Sequence, residues 1–208
     1  MPLDLWLAFV AASIALLMIP GPTVLLVLSY ALSKGHPVAL ASAAGVAFGD
    51  LVAMSASLAG LGALVLASAT LFTLLKWVGA VYLIWLGLRL IRSAPSEGLA
   101  VPRADVNARH VFGHTAAVTA LNPKSIAFFI AFVPHFIQAE APLLPQFTIL
   151  IATFVGLAAL NVLAYALLAD HLRRVIARPG IITWIARGGG LALITMGGLT
   201  ATLRRATS

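Results

Sequence analysis

The sequence predicts an all-α membrane protein: six transmembrane helices arranged as two inverted three-helix repeats. Three observations carry this. Of the 208 residues, 62% are hydrophobic and 9% are charged, against about 25% charged in a soluble domain. Apolar stretches long enough to cross a bilayer, about 20 residues each, occur six times. Polar residues and glycines recur at a matched spacing in the two halves, and the first stretch of each half has a proline break.

The stretches cover about 4–30, 38–66, 70–91, 113–136, 146–169 and 181–203. The first reads as a retained span rather than a cleaved leader. Met1 to Trp6 holds no Lys or Arg, and no convincing small-x-small cleavage site follows before the apolar run resumes. It ends at the breakers Ser33-Lys34-Gly35-His36-Pro37. The second and third stretches complete a first unit, 1–91. The longest connector then runs from Arg92 to Phe112 and holds Ser93, Pro95, Ser96, Glu97, Pro102, Asp105 and Asn107. It reads as a cytoplasmic loop, 92–112, ahead of a second unit, 113–208. Glu140-Ala141-Pro142 separates the fourth stretch from the fifth, and Arg178-Pro179-Gly180 the fifth from the sixth.

Basic residues set the orientation. Lys34 follows the first stretch; Arg92, Arg103 and Arg109 follow the third; Arg173, Arg174 and Arg178 follow the fifth. The other two connectors hold no Lys or Arg. Basic loops stay in the cytoplasm, so the N-terminus is expected outside. Arg204 and Arg205 then fall outside as well, against the seven loop charges. The excess of 13 Lys+Arg over 6 Asp+Glu is thereby explained by topology. No nucleic-acid motif and no basic stripe with interleaved aromatics is present. With no cysteine, disulfides, thiolate metal sites and cysteine nucleophiles are excluded.

Five residue pairs share a spacing of 111: Gly45/Gly156, Asp50/Asn161, Lys76/Arg187, Gly79/Gly190 and Gly87/Gly198. Chance matching explains glycines more easily than Lys76/Arg187 or Asp50/Asn161, because polar residues are rare inside these stretches. Three spans per unit force the second copy to enter from the opposite side, which makes an inverted repeat, a common transporter plan.

Pro20-Gly21-Pro22 falls inside the first stretch and Leu121-Asn122-Pro123-Lys124 inside the fourth. Proline removes a backbone donor and clashes with the preceding turn, so each stretch should kink or unwind. Lipid cannot solvate the freed carbonyls; they must face protein or a water-filled cavity. Each break alone could be a packing kink. Paired breaks in corresponding places point to a substrate site.

Asp50 is the only acidic residue deep in a stretch, and a carboxylate at that depth is costly and usually functional. It suits proton carriage or binding of a substrate ammonium; the structural alternative is a buried hydrogen bond or an ion pair with Lys124. Lys124 could in turn meet a substrate carboxylate, helped by the amides of the helix that restarts after Pro123. Asn122 adds uncharged donors and an acceptor, and Asn161 occupies the position equivalent to Asp50. These residues, with Pro20, Gly21, Pro22 and Pro123, form the candidate substrate and ion site.

Lys76 and Arg187, each about six residues inside a span, either snorkel to the interface or act as gating charges. Gly45 and Gly49 form a GxxxG, and Gly188, Gly189, Gly190, Gly197 and Gly198 line the last stretch; helix packing is the default reading, a sliding interface the sharper one. His110 and His114 have the i, i+4 spacing of two metal ligands, but no third ligand is evident and interfacial histidines explain them. Trp6, Trp77 and Trp184 fit an interfacial belt, while Trp85 falls deeper. Hydrolase motifs such as GxSxG and HExxH are absent, so no enzyme is expected.

Taken in order, Pro20-Gly21-Pro22-Thr23, Gly45-Val46-Ala47-Phe48-Gly49-Asp50, Lys76-Trp77-Val78-Gly79-Ala80-Val81-Tyr82-Leu83 with Gly87, and Leu121-Asn122-Pro123-Lys124 with Phe128 and Phe129 resemble the LysE/RhtB family of amino-acid exporters across nearly the whole chain. The resemblance implies a six-helix secondary transporter of the bacterial cytoplasmic (inner) membrane. It would export amino acids or close derivatives by proton antiport, with no cofactor. The Pro-Gly-Pro break, Asp50, Asn122, Pro123 and Lys124 match family motif positions. The implied partners are an amino-acid substrate, protons and the lipid bilayer, with no nucleic acid; a homo-oligomer is compatible with all of this. Two other readings stay open. A small cation channel or efflux protein would prefer several acidic residues along a pore, and a non-transporting membrane subunit would move nothing alone.

Overall fold

The computed structural model describes residues 1–19, 21–34, 36–67, 69–92, 107–138, 141–168 and 179–202. Among them lie eight α helices: α1 (Leu3–Met18), α2 (Pro22–Lys34), α3 (His36–Ala67), α4 (Ala69–Arg92), α5 (Ala108–Ala120), α6 (Pro123–Ala131), α7 (Leu143–Leu167) and α8 (Pro179–Thr202). A short 3-10 turn, Val133–Phe136, follows α6. No strand occurs among the described residues.

Each expected stretch is helical, and the first and fourth are broken pairs, α1–α2 and α5–α6. The axes of α1 and α2 differ by 60°. Two described helices are long and apolar enough to cross a membrane, within α3 and α7, and the bent pair α1–α2 makes a third when it is counted as one span. The fourth stretch begins earlier than its hydropathy suggests. Asn107 caps α5 by accepting the Arg109 backbone N–H at 3.1 Å, so helix starts at Ala108 on polar residues that hydropathy assigns to the connector. Residues 93–106, with Arg103, lie outside the described residues, as do Pro20, Glu140, Arg173, Arg174, Arg178, Arg204 and Arg205.

Packing follows the small residues. Gly45 lies against Phe112 and Thr115, and Gly49 against Ala116 and Thr119, so α3 and α5 run in the same direction with touching backbones. Gly87 lies against Gly190 and Gly197 against Ala80, so α4 and α8 run antiparallel. The core between α1, α6 and α7 is aromatic. Phe9, Phe128, Phe129 and Phe154 are fully buried, and Phe129 meets Phe154 edge to face at 4.8 Å. The outer faces of α3, α4, α7 and α8 carry exposed Leu40, Val81, Leu160 and Leu191, an apolar exterior suited to lipid rather than water.

Gln146, buried in the first turn of α7, ties down the chain that enters the helix. Its Oε1 accepts the Gln138 N–H at 2.8 Å, and its Nε2 donates to the carbonyls of Gln138, Ala141 and Pro142 at 2.9–3.2 Å.

Candidate functional site

The site is built on the two helix breaks. α1 stops at Met18 and α2 starts at Pro22, whose ring supplies a helix-compatible φ and needs no hydrogen bond in the first turn. A helix end leaves its last carbonyls without partners, and inside a membrane the protein must supply them. Here three side chains from the second half do so. Lys124 Nζ donates to Leu16 O at 3.1 Å and Ile19 O at 2.9 Å. Asn161 Nδ2 donates to Leu17 O at 3.2 Å. Tyr165 Oη donates to Met18 O at 3.4 Å. The Lys124 ammonium also faces the negative end of the α1 dipole, a favourable placement.

The second break mirrors the first in purpose but caps itself. α5 stops at Ala120, and Asn122 caps α6: its Oδ1 accepts the Lys124 backbone N–H at 3.0 Å. The Asn122 Nδ2 donates to Thr23 Oγ1 at 3.2 Å, and Thr23 Oγ1 shares a 3.4 Å bond with Thr119 Oγ1. Asn122 is thus both a helix cap and the link that ties the two breaks together.

Between the breaks lies a cavity lined by Gly21, Thr23, Asp50, Asn122, Lys124 and Asn161, with Thr119 and Ser125 beside them. Leu16, Leu17, Val24, Val46, Ala158 and Val162 form its apolar wall. Measured to water centres it holds about 30 Å³, room for about two waters. Small-molecule pockets usually offer about 300–1,000 Å³, so this cavity is too small for an amino acid as it stands.

Asp50 is 2% exposed, and its Oδ1 has no hydrogen-bond partner. A buried polar atom without a partner is rare and asks for a reason. The Lys124 ammonium, on the same cavity, is turned to the α1 carbonyls instead. A carboxyl group and an ammonium therefore share one small space, each with capacity for a ligand.

Of the expected site residues, Gly21, Asp50, Asn122, Lys124 and Asn161 line this cavity. Pro22 and Pro123 begin α2 and α6 beside it, and Pro20 lies outside the described residues. The structure does not bring Arg187 to the cavity: it is exposed on α8. Lys76 is in α4, and its side chain lies outside the described residues. His114 Nδ1 and Tyr30 Oη lie 2.7 Å apart, and no metal-binding group of three appears among the described residues.

Sequence reasoning passed over the hydroxyls. Thr23, Thr119, Ser125 and Tyr165 carry no charge and sit in helices where such residues are ordinary. Their signal is position: Thr23 follows the first break, Thr119 and Ser125 flank the second, and Tyr165 lies one helical turn after Asn161.

A family profile described as LysE type translocator matches residues 14–203. A homoserine/homoserine lactone efflux protein of Salmonella typhimurium is 31% identical over 206 residues, covering 99% of this chain and 100% of that protein. A leucine efflux protein of Klebsiella pneumoniae is 30% identical over 142 residues, 65% of each chain. An uncharacterized membrane protein of Vibrio cholerae is 31% identical over 204 residues, 98% of this chain and 100% of that one. No solved structure matches significantly.

Proposed function

This chain belongs to the LysE type translocator family, a family of transporters rather than enzymes, and on that premise we propose that it exports amino acids or close derivatives across the bacterial cytoplasmic membrane by proton antiport. The observation that carries the reading is Asp50, buried and unpartnered at Oδ1, on a cavity held between two helix breaks. Relatives named for efflux of homoserine, homoserine lactone and leucine support an amino-acid substrate. All three compounds carry a primary ammonium, and the lactone has no free carboxylate. The ammonium is therefore their common recognition element.

Asp50 receives that ammonium. Lys124 and the first amides of α6 receive the carboxylate where one exists. A carboxylate that holds a proton cannot also hold an ammonium ion strongly. Alternate occupancy of Asp50 by substrate and proton therefore couples their movements in opposite directions. Six spans in two inverted units, 1–91 and 113–208 about a cytoplasmic loop, supply the alternation. One unit rocks against the other around the cavity. The shared direction of α3 and α5, and the opposed directions of α4 and α8, support this plan, as does the pairing of the breaks.

The test is export from cells fed dipeptides, which load the cytoplasm with single amino acids. Cells expressing the protein should hold less of one amino acid than empty-vector cells, and Asp50→Asn should remove the difference. If no amino acid moves while the protein is correctly inserted, the reading is wrong.

A further inference from the structure

The carbonyl end of α1 has two kinds of partner. Leu17 O and Met18 O are held by Asn161 and Tyr165, neutral donors anchored on the long helix α7. Leu16 O and Ile19 O are held by a cation, the Lys124 ammonium, at 3.1 and 2.9 Å. Two carbonyls converging on one ammonium form a built receptor for that group: the acceptors are aimed, and the end of the helix dipole adds negative potential. Half-helix carbonyl ends are a recurrent cation-binding device inside membranes.

Asp50 adds an independent observation. It is 2% exposed, lines the same cavity, and leaves Oδ1 without a partner. A buried anionic acceptor beside an ammonium receptor points to a cationic ligand. Gly21 completes the subsite. A Cβ there would stand 3.4 Å from Lys124 Nζ, in van der Waals contact with the ammonium. The two carbonyls already hold one ammonium, so a substrate ammonium takes them only if Lys124 leaves.

We propose that Leu16 O, Ile19 O and Asp50 form the subsite for the primary ammonium of the substrate, and that in this arrangement the Lys124 ammonium occupies the two carbonyls in its place. Substrate entry displaces Lys124, which turns toward the substrate carboxylate when there is one. The carbonyls are never left bare, because one ammonium replaces another. This assignment rests on the exporter reading for its role in transport, but the subsite itself is a binding property that can be measured without transport.

The probe is methylammonium, the smallest primary alkylammonium, with tetramethylammonium at matched ionic strength as a cation that cannot donate a hydrogen bond. Thermal unfolding of the purified full-length protein is followed in wild type and Lys124→Ala. Methylammonium should raise the unfolding midpoint of Lys124→Ala in a saturable way, tetramethylammonium should not, and wild type should respond to neither. Lys124→Met, which has no donor, carries the same test if the alanine variant does not fold. Adding Asp50→Asn to the responsive variant should weaken the saturable shift. Equal responses to the two cations, or in wild type and variant alike, would overturn the proposal. A selective methylammonium shift in a protein that exports no amino acid would leave the subsite standing and remove the exporter reading. Amino-acid export with no selective shift would do the reverse.

Discussion

Gly87 and Gly190 meet backbone to backbone: a Cβ built on either would stand 2.5 Å from the carbonyl oxygen of the other. No real side chain tolerates that approach, so α4 and α8 are held together by the absence of side chains at this crossing. Gly87→Val or Gly190→Val should force the helices apart, costing about 1–3 kcal/mol or more, the usual range for overpacking. Gly60 and Gly156 have nothing within 4 Å of a built Cβ, so Gly60→Ala and Gly156→Ala should leave the unfolding midpoint unchanged or slightly raised. Thermal unfolding in detergent checks all four. Equal losses at the crowded and open glycines would contradict the packing.

The three donors on the α1 carbonyls should differ in weight. Interhelical hydrogen bonds in membranes average about 0.6 kcal/mol and reach about 1.7. Tyr165→Phe removes a 3.4 Å bond and should cost about 0.6 kcal/mol or less. Asn161→Ala removes a 3.2 Å bond and leaves Leu17 O facing the cavity, so its loss should be larger. A double variant with a cost well above the sum would show that α7 braces the break as one unit.

Gln146 should be a stability residue with no part in transport. It makes four bonds to one short connector and does not line the cavity. Gln146→Leu removes all four bonds to the connector, each worth about 0.5–1.5 kcal/mol net. Gln146→Glu keeps an acceptor for Gln138 N and loses the donors. Both variants should unfold at lower temperature, and transport per folded molecule should match wild type.

The helix positions were legible in the sequence because bilayer spans are long and compositionally uniform. The breaks were legible because proline has an obligatory effect on backbone hydrogen bonds. Asp50, Asn122, Lys124 and Asn161 stood out as polar residues in apolar surroundings, and the structure brings all four to one cavity. Partnership was not legible. The sequence suggests Asp50 as a partner for Lys124, and the two share the cavity, but the hydrogen bonds of the ammonium to the Leu16 and Ile19 carbonyls could not be read from it. Backbone acceptors carry no residue signature, so a sequence cannot display them. Thr23, Thr119 and Tyr165 were hidden for a related reason: a single hydroxyl in an apolar helix commonly bonds its own preceding turn, as Ser29 does to Leu25 O at 2.8 Å. Nothing local distinguishes the ones that reach across helices.

The measurement that bears most directly on the central claim is substrate movement in sealed proteoliposomes under an imposed pH gradient. It uses the amino acid named by the export panel and compares wild type with Asp50→Asn. Wild type should accumulate the amino acid on the acidic side against its concentration gradient, collapse of the pH gradient by a protonophore should stop this, and Asp50→Asn should show no gradient-driven accumulation. Gradient-driven accumulation by Asp50→Asn equal to that of wild type would contradict the claim that Asp50 is where substrate and proton exchange.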